Sequence, residues 1–139
     1  MQILITGGCG FIGSNFTRYI LNKYTNYTVT NLDKLTYAGN IENLRDLDCN
    51  LNYRFVKGDI CNENLVDELT KKNDIVVNFA ADTHVDNSIN APLIFTKTNV
   101  LGTHLLLESS RRNKIKRFIH ISTDEVYGSV PKGSSVETD

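Results

Sequence analysis

The stretch QILITGGCGFIG, residues 2–13, decides how this chain folds. Residues 2–6 have the apolar and β-branched composition of a buried strand, and glycines follow at once in the spacing Gly7-x-x-Gly10-x-x-Gly13. Glycines let a chain turn sharply from a strand into a helix and bring its backbone close to a bound pyrophosphate. The N-terminus of that helix supplies free N–H groups and a favourable dipole for the anion. The spacing therefore predicts a phosphate-binding turn.

An acidic residue stands where the second strand is expected to end. Asp33 lies twenty residues after Gly13, a separation typical of a carboxylate that accepts hydrogen bonds from the hydroxyls of the adenine ribose. Because that carboxylate would repel a 2′-phosphate, we expect NAD rather than NADP, although Lys34 beside it would soften the repulsion. Asp59-Ile60 follow the third strand, where an adenine would lie. The alternative role for Asp59 is to cap the next helix.

Short apolar runs alternate with longer helix-like segments along the rest of the chain. They predict strands at 2–6, 28–33, 53–58, 74–80 and 117–122, and helices at 12–23, 41–47, 63–72 and 92–113. Strands that alternate with helices form right-handed crossovers and a parallel sheet that is covered on both faces. We therefore predict an α/β fold, a Rossmann-like doubly wound parallel sheet, in one dinucleotide-binding domain that spans residues 1–139.

The charge and the cysteines argue against several classes of protein. The chain has 139 residues, 15 Lys and Arg against 16 Asp and Glu, and a net charge of −1, which argues against a general binder of nucleic acid or anionic membranes. No apolar run reaches the roughly 18 residues of a membrane helix. No signal peptide is readable before the first strand, so we expect a cytoplasmic protein. Cys9, Cys49 and Cys61 are too widely spaced to indicate a metal site or a disulfide framework.

Three further stretches narrow the prediction. They are DKLTYAGN at residues 33–40, AADTHVD at 80–86 and STDEVYG at 122–128. Together with the glycine-rich turn, they resemble the nucleotide-sugar-modifying branch of the extended short-chain dehydrogenase/reductase superfamily, and within it the dTDP-glucose 4,6-dehydratase family. The Thr-Asp-Glu triplet at 123–125 is the most specific part of the resemblance. One mild departure is Asp82-Thr83, which stands where the family more often has Glu-Ser.

Members of that family are much longer than this chain. The resemblance therefore implies an N-terminal portion, truncated before the C-terminal substrate-binding part. The Tyr-x-x-x-Lys pair of the superfamily would lie beyond Asp139, so we expect the chain alone to be inactive. Two matches to that spacing, Tyr19 with Lys23 and Tyr53 with Lys57, fall on the first helix and within a strand, and we interpret both as chance. We expect the full-length enzyme to be a homodimer.

The resemblance implies an NAD-dependent lyase of deoxysugar biosynthesis that acts in three steps on one hexose. Hydride leaves C4 for NAD, water is lost across C5–C6, and the hydride returns to C6, which converts dTDP-glucose to dTDP-4-keto-6-deoxyglucose. A ketone at C4 makes the C5 proton acidic enough for a carboxylate to remove. By resemblance, Glu125 is this base, Asp124 is the acid toward the C6 hydroxyl, and Thr123 and Thr83 bind the O4 of the sugar. The alternative for the two carboxylates is a polar turn after a strand.

The resemblance also assigns contacts with NAD along much of the chain. These contacts fall on Gly7, Gly10, Phe11, Ile12, Gly13, Asp33, Lys34, Leu35, Thr36, Asp59, Ile60, Phe79, Ala80, Ala81, Asp82, Thr83 and Thr98. For Thr98 and its neighbour Asn99, the alternative is that both are ordinary polar positions on the helix at 92–113.

Two other functions stay open at this point. A nucleotide-sugar 4-epimerase or decarboxylase would share the fold and the cofactor but would not need the paired carboxylates at 124 and 125. A non-catalytic NAD-binding module would account for the missing Tyr and Lys. The base of the substrate's nucleotide, dTDP or UDP, also stays open because the family holds it with its C-terminal half.

Overall fold

Five parallel strands form one sheet in the computed structural model, which describes residues 1–138. The strands are β1 (Gln2–Thr6), β2 (Thr28–Asp33), β3 (Tyr53–Lys57), β4 (Ile75–Asn78) and β5 (Arg117–His120). Their order across the sheet is β3-β2-β1-β4-β5, and every neighbouring pair is parallel. This order confirms the predicted doubly wound α/β fold. In such sheets a ligand crevice lies at the carboxyl ends of the strands, where the strand order reverses; here that point is between β1 and β4.

Helical segments connect the strands. The α-helices are α1 (Phe11–Lys23), α2 (Glu63–Thr70), α3 (Val85–Asn90), α4 (Pro92–Phe95) and α5 (Thr103–Arg112). Two 3₁₀ turns span Ile41–Leu47 and Asp124–Tyr127, and a π-helical segment spans Thr96–Gly102. Within residues 1–138, no helix is both long enough and apolar enough to cross a membrane.

The two faces of the sheet pack into two separate cores. Ile3 and Ile5 of β1 join the core that contains Leu44 and residues of α1. Leu4, between them, belongs to the opposite core, where Leu106 of α5 and residues of α2 pack. Side chains alternate between the faces of a strand, so β1 is buried on both sides. This burial explains why its sequence is apolar at consecutive positions.

The segment at 41–47 is a correction to the sequence prediction, because it is a 3₁₀ turn and not an α-helix. Its backbone breaks at Leu44, where φ is −125°. Leu44 and Leu47 are both buried, and residues three apart lie in line on a 3₁₀ helix. Asn40 caps the segment by accepting a hydrogen bond from the Glu42 N–H. The break at Leu44 and the burial of both leucines accompany this departure from an α-helix.

The helix predicted at 92–113 is also corrected. It begins at Pro92, passes through the π-helical segment 96–102 and ends at Arg112. The short helix α3 before it was not predicted, since its sequence, VDNSIN, is mostly polar and has no side-chain cap. Ala91 occupies the cap position before α4. The Asn90 side chain donates to the Asp86 carbonyl within α3.

Other boundaries differ by one or two residues. α1 begins at Phe11 rather than at 12, and α2 ends at Thr70 rather than at 72. β4 and β5 each end two residues early, at Asn78 and His120. Beyond those ends the chain leaves the sheet and lines the crevice described below.

Candidate functional site

The turn after β1 accepts only glycine at two positions. Gly7 has a φ of +72°, and a Cβ there would lie 2.6 Å from the backbone nitrogen of Ala80. A Cβ on Gly13 would collide with the Gly7 carbonyl. The glycine spacing therefore follows from close packing of the turn against the first turn of α1 and the end of β4. The compact turn that these glycines allow, beside the N-terminus of α1, is the cradle expected for a pyrophosphate.

Two side chains of β2 hold this turn from the side of the sheet. Asn31 Oδ1 accepts the Gly8 N–H at 3.0 Å, and Asp33 Oδ2 accepts the Cys9 N–H at 2.8 Å. Asn31 Nδ2 donates to the Tyr53 hydroxyl at 3.0 Å. Asn31 was not predicted as a functional residue. Its place inside a buried strand indicates such a role, because polar side chains are buried where they have hydrogen-bond partners.

Burial also sets the chemistry of the groups beneath the turn. Burial, with the nearby charge of Asp33, raises the pKa of the Cys9 thiol to about 11. Burial likewise raises the pKa of Tyr53 to about 12. Both groups are therefore neutral near neutral pH. The Cys9 sulfur accepts a hydrogen bond from Asn31 Nδ2 at 3.3 Å, and it does not have the thiolate character of a reactive cysteine.

The N-terminus of α1 is open to an anion. The first backbone hydrogen bond of the helix runs from the Ser14 N–H to the Gly10 carbonyl. The first turn contains no acidic residue and no side-chain cap, and Phe11 and Ile12 are exposed. The N–H groups of a first helical turn have no partner within the helix. This end of α1 therefore fits a pyrophosphate.

A smaller cavity opens at the carboxyl ends of β1, β2 and β3. Its lining residues are Gly7, Leu32, Asp33, Lys34, Thr36, Ala38, Gly39, Gly58, Asp59, Ile60, Ala80, Ala81, Asp82 and Thr98. Most of the expected cofactor contacts are among them. Asp33 is 7% exposed, and its Oδ1 accepts the Leu35 N–H at 2.8 Å. Since its Oδ2 accepts the Cys9 N–H, the carboxylate has a fixed orientation at the edge of this cavity.

Lys34 and Asp59 form an ion pair across the smaller cavity, with 2.7 Å between Nζ and Oδ2. The hydrogen bond that Lys34 donates to Asp59 raises the pKa of Lys34. Burial raises the pKa of Asp59, but hydrogen bonds from Lys34 and the Cys61 N–H outweigh burial, so the net shift is downward. The alternative role for Asp59 as a helix cap is wrong. The cap of α2 is Asn62, which accepts the Leu65 N–H.

A larger cavity, of about 400 Å³, adjoins the smaller one. Its lining residues are Ala80, Ala81, Asp82, Thr83, His84, Ser88, Phe95, Asn99, Thr103, His120, Ile121, Ser122, Thr123 and Glu125. The two cavities share the loop 80–82 after β4. The structure thus brings Glu125, Thr123 and Thr83 together around one space, next to the space that Asp33 borders. Their catalytic and substrate-binding roles stay predictions.

The remaining expected site residues lie outside both linings. Gly10, Phe11, Ile12 and Gly13 form the turn and the start of α1. Leu35 follows Asp33 with a φ of +58°. Phe79 contacts Phe16 of α1, with 5.2 Å between ring centroids.

Asp124 begins the 3₁₀ turn Asp124–Tyr127, and it is exposed, as is Glu125. Among the residues that the structure describes, Glu125 lines the larger cavity and its neighbour Asp124 does not. The polar turn that the sequence analysis left open as an alternative is therefore present. It does not exclude the catalytic role, because the turn itself brings Glu125 to the cavity wall.

Two amides, the buried Asn78 and the half-buried Asn99, support the walls of the larger cavity. Asn78 Oδ1 accepts the Thr6 hydroxyl at 2.5 Å and the Ala80 N–H at 3.1 Å. The Asn99 side chain accepts the Asp82 N–H and donates to the Asp82 carbonyl, both at 2.9 Å. Thus Asn99 is more than an ordinary polar position on a helix. Together the two amides hold the loop that separates the cavities.

The Tyr-x-x-x-Lys matches lie away from both cavities. Lys23 Nζ is 2.5 Å from the hydroxyl of Tyr19, but this pair lies on the exposed side of α1. Tyr53 and Lys57 are residues of β3. None of the four lines either cavity. Within residues 1–138, no group of three or more His, Cys, Asp or Glu side chains is placed to hold a metal ion.

The family profile described as GDP-mannose 4,6 dehydratase matches residues 4–139, which is almost the whole chain. The chain belongs to this family. The resemblance found in the sequence, to nucleotide-sugar 4,6-dehydratases, is therefore confirmed at the level of the family.

Two curated proteins show how close in sequence the chain is to known ones. The dTDP-glucose 4,6-dehydratase of Streptomyces niveus is 52% identical over 138 residues, 96% of this chain and 41% of that protein. The low-salt glycan biosynthesis protein Agl12 of Haloferax volcanii is 50% identical over 139 residues, 100% of this chain and 44% of that protein. The chain thus spans about two fifths of the length of these relatives.

Solved structures show the same relationship. A double mutant of the Streptomyces venezuelae dTDP-glucose 4,6-dehydratase DesIV, with NAD and DAU bound, matches 99% of this chain and 44% of its own length. Its TM-score is 0.93 at 44% identity. The UDP-glucose 4-epimerase of Thermotoga maritima, solved with UDP-glucose, matches 96% of this chain and 41% of its own length, with a TM-score of 0.83 at 33% identity. Dehydratases and epimerases therefore share this fold.

Proposed function

We propose that this chain is the cofactor-binding domain of an NAD-dependent nucleotide-sugar 4,6-dehydratase that converts dTDP-glucose to dTDP-4-keto-6-deoxyglucose. The observation that carries the proposal is the position of Glu125, on a cavity that adjoins the one bordered by Asp33. A carboxylate base is thereby next to a space suited to a dinucleotide. The dTDP-glucose 4,6-dehydratases among the relatives support the same reading.

The residues present fit NAD. The glycine cradle and the open end of α1 suit the pyrophosphate, and the fixed carboxylate of Asp33 suits the two ribose hydroxyls. The same carboxylate disfavours a 2′-phosphate, because two backbone N–H groups prevent it from turning away. DesIV and the Bacillus anthracis dTDP-glucose 4,6-dehydratase were crystallised with NAD, which supports this cofactor.

The chain's own residues would perform the elimination. NAD, when bound, would accept hydride from C4 and return it to C6. Glu125 would remove the proton from C5, and Asp124 would protonate the hydroxyl that leaves C6, so that one water is lost. Thr123 and Thr83 would hydrogen-bond the O4 of the sugar. Base and acid act on different atoms, which is why two adjacent carboxylates suit the step.

We also propose that the full-length enzyme is a homodimer. Leu93, Val100 and Leu107 are exposed apolar residues along residues 92–112, and exposed apolar surface of this kind suits a partner. A location in the cytoplasm likewise stays a prediction from the sequence.

A nucleotide-sugar 4-epimerase is the second candidate, because the Thermotoga maritima epimerase shares the fold. That reaction has no elimination step and no need for the carboxylates at 124 and 125. A UDP-sugar is also open as the substrate, since an Arabidopsis UDP-glucose 4,6-dehydratase is 47% identical over 138 residues. A non-catalytic NAD-binding module is the remaining alternative.

Product analysis tests the proposal. A form of the protein that includes a Tyr-x-x-x-Lys pair, incubated with NAD⁺ and dTDP-glucose, should yield the 4-keto-6-deoxy product; a parallel reaction with UDP-glucose identifies the base. The 139-residue chain alone should bind NAD but yield no product, because neither of its two Tyr-x-x-x-Lys pairs lines a cavity. Steady turnover by the chain alone would contradict this expectation and would point to a base within residues 1–138, such as Tyr127.

A further inference from the structure

The smaller cavity contains three carboxylates and one cation that bear on cofactor choice. Asp33, Asp59 and Asp82 line it, and among its described lining residues Lys34 is the cation. Lys34 directly follows Asp33 in the chain. A lysine at this position is well placed to meet a 2′-phosphate on the adenine ribose, because a nearby cation is how such sites accommodate NADP.

The structure shows Lys34 engaged elsewhere. Its Nζ lies 2.7 Å from Asp59 Oδ2, on the side of the cavity formed by β3. The Asp59 carboxylate is itself held in place, since its Oδ1 accepts the Cys61 N–H at 2.9 Å. A 2′-phosphate would therefore meet the fixed carboxylate of Asp33, while the neighbouring cation is directed at another acid.

We propose that Asp59 is a specificity-determining residue for the cofactor, acting by holding Lys34 away from the position of a 2′-phosphate. The proposal rests on the dinucleotide binding proposed above and does not depend on the dehydration chemistry. It assigns to Asp59 a role in selecting NAD over NADP, in addition to any contact with the adenine. Asp33 excludes the phosphate by repulsion, and Asp59 excludes it by removing the countercharge.

The pair is only partly shielded from solvent, which limits the size of the effect. The Lys34 and Asp59 side chains are 52% and 25% exposed, and water and salt weaken ion pairs at such sites. The released lysine would also remain opposite Asp82. We therefore expect a change of about fivefold in relative cofactor affinity, within the range of partly exposed charge pairs.

Titration of NAD and NADP against four forms of the chain tests the proposal: the unsubstituted chain, Lys34→Gln, Asp59→Asn and the double variant. The measured quantity is the dissociation constant for NADP divided by that for NAD. Lys34→Gln should change this ratio less than twofold, because the lysine does not serve the phosphate in the unsubstituted chain. Asp59→Asn should lower the ratio about fivefold. In the Lys34→Gln background, Asp59→Asn should lower it less than twofold.

Two matched controls remove the same charges elsewhere. Lys57→Gln and Asp48→Asn change exposed residues that do not line the cavity, and neither should alter the ratio. The Lys34→Gln result stands even if Asp59→Asn folds poorly. If Lys34→Gln alone raised the ratio more than about threefold, the proposal would be overturned, because Lys34 would then already bind the 2′-phosphate in the unsubstituted chain. The proposal would also be overturned if Asp59→Asn lowered the ratio equally with and without Lys34. The loss of one negative charge would then be the cause, and not the release of Lys34.

The same titrations separate this proposal from the proposed function. If the unsubstituted chain binds neither dinucleotide, both are wrong. If it binds NAD and the ratios behave otherwise than stated, the role of Asp59 alone is wrong.

Discussion

Replacing Glu125 with Gln, in a form of the protein that includes a Tyr-x-x-x-Lys pair, should slow the loss of water by about 10²-fold or more. Oxidation at C4 should continue, since it does not require this base, and the absorbance of NADH should therefore accumulate on mixing enzyme with sugar. Asp124→Asn should have the same signature, because a C6 hydroxyl leaves poorly without a proton. Rapid-mixing absorbance, with product analysis on the same samples, separates the two steps.

A matched carboxylate elsewhere controls for the loss of charge. Glu137 is exposed and lies outside both cavities, so Glu137→Gln should leave both steps unchanged. If Glu125→Gln and Asp124→Asn both turned the sugar over at the unsubstituted rate, the dehydratase proposal would be wrong. A 4-epimerase would then be the better interpretation.

Replacing Asp33 with Ala should weaken NAD binding by about 1–3 kcal/mol, the range for losing hydrogen bonds to a charged group. The loss has two sources, since the carboxylate would bind the ribose and also accepts the N–H groups of Cys9 and Leu35. The affinity for NADP relative to NAD should rise, because the repulsion of a 2′-phosphate is gone. Calorimetry with both dinucleotides measures the two effects.

Asp33→Asn separates two roles of this side chain, the binding of the ribose and the support of the loop backbone. The amide oxygen can still accept one backbone N–H, so the loop should be less disturbed than in Asp33→Ala, while the charge is removed in both. A shift toward NADP in both variants is expected. An unchanged NAD affinity in Asp33→Ala would show that the carboxylate serves only the loop and would contradict its assignment to the ribose.

Sequence reasoning succeeded where the determining interactions are local. The turn Gly7–Gly13 lies between a strand and a helix that are adjacent in the chain, and the strand's apolar composition follows from burial on both faces. Strand–helix alternation, with right-handed crossovers, predicted the parallel sheet covered on both faces; the order of its strands came from the structure. The resemblance to 4,6-dehydratases added the residues that the fold alone does not assign, Thr123 to Glu125 above all.

Sequence reasoning failed where side chains bond to distant backbone. Asn31 accepts the N–H of Gly8, 23 residues away, and Asn99 bonds the backbone of Asp82, 17 residues away. Hydrophobic periodicity does not indicate which distant backbone group a polar side chain will bond. The π-helical segment at 96–102 was missed for the same reason, since apolar spacing does not distinguish a π turn from an α turn.

The fate of a single deuterium tests the central claim most directly. The extended form of the protein, with NAD⁺ and dTDP-glucose labelled with deuterium at C4, should yield a 4-keto-6-deoxy sugar that carries the label at C6. Mass spectrometry and proton NMR of the product locate the label. That position is expected because hydride removed from C4 returns to C6 of the same ring after water has left. Label that returns to C4 of an intact hexose, with the configuration at C4 inverted, would contradict the proposal and identify an epimerase.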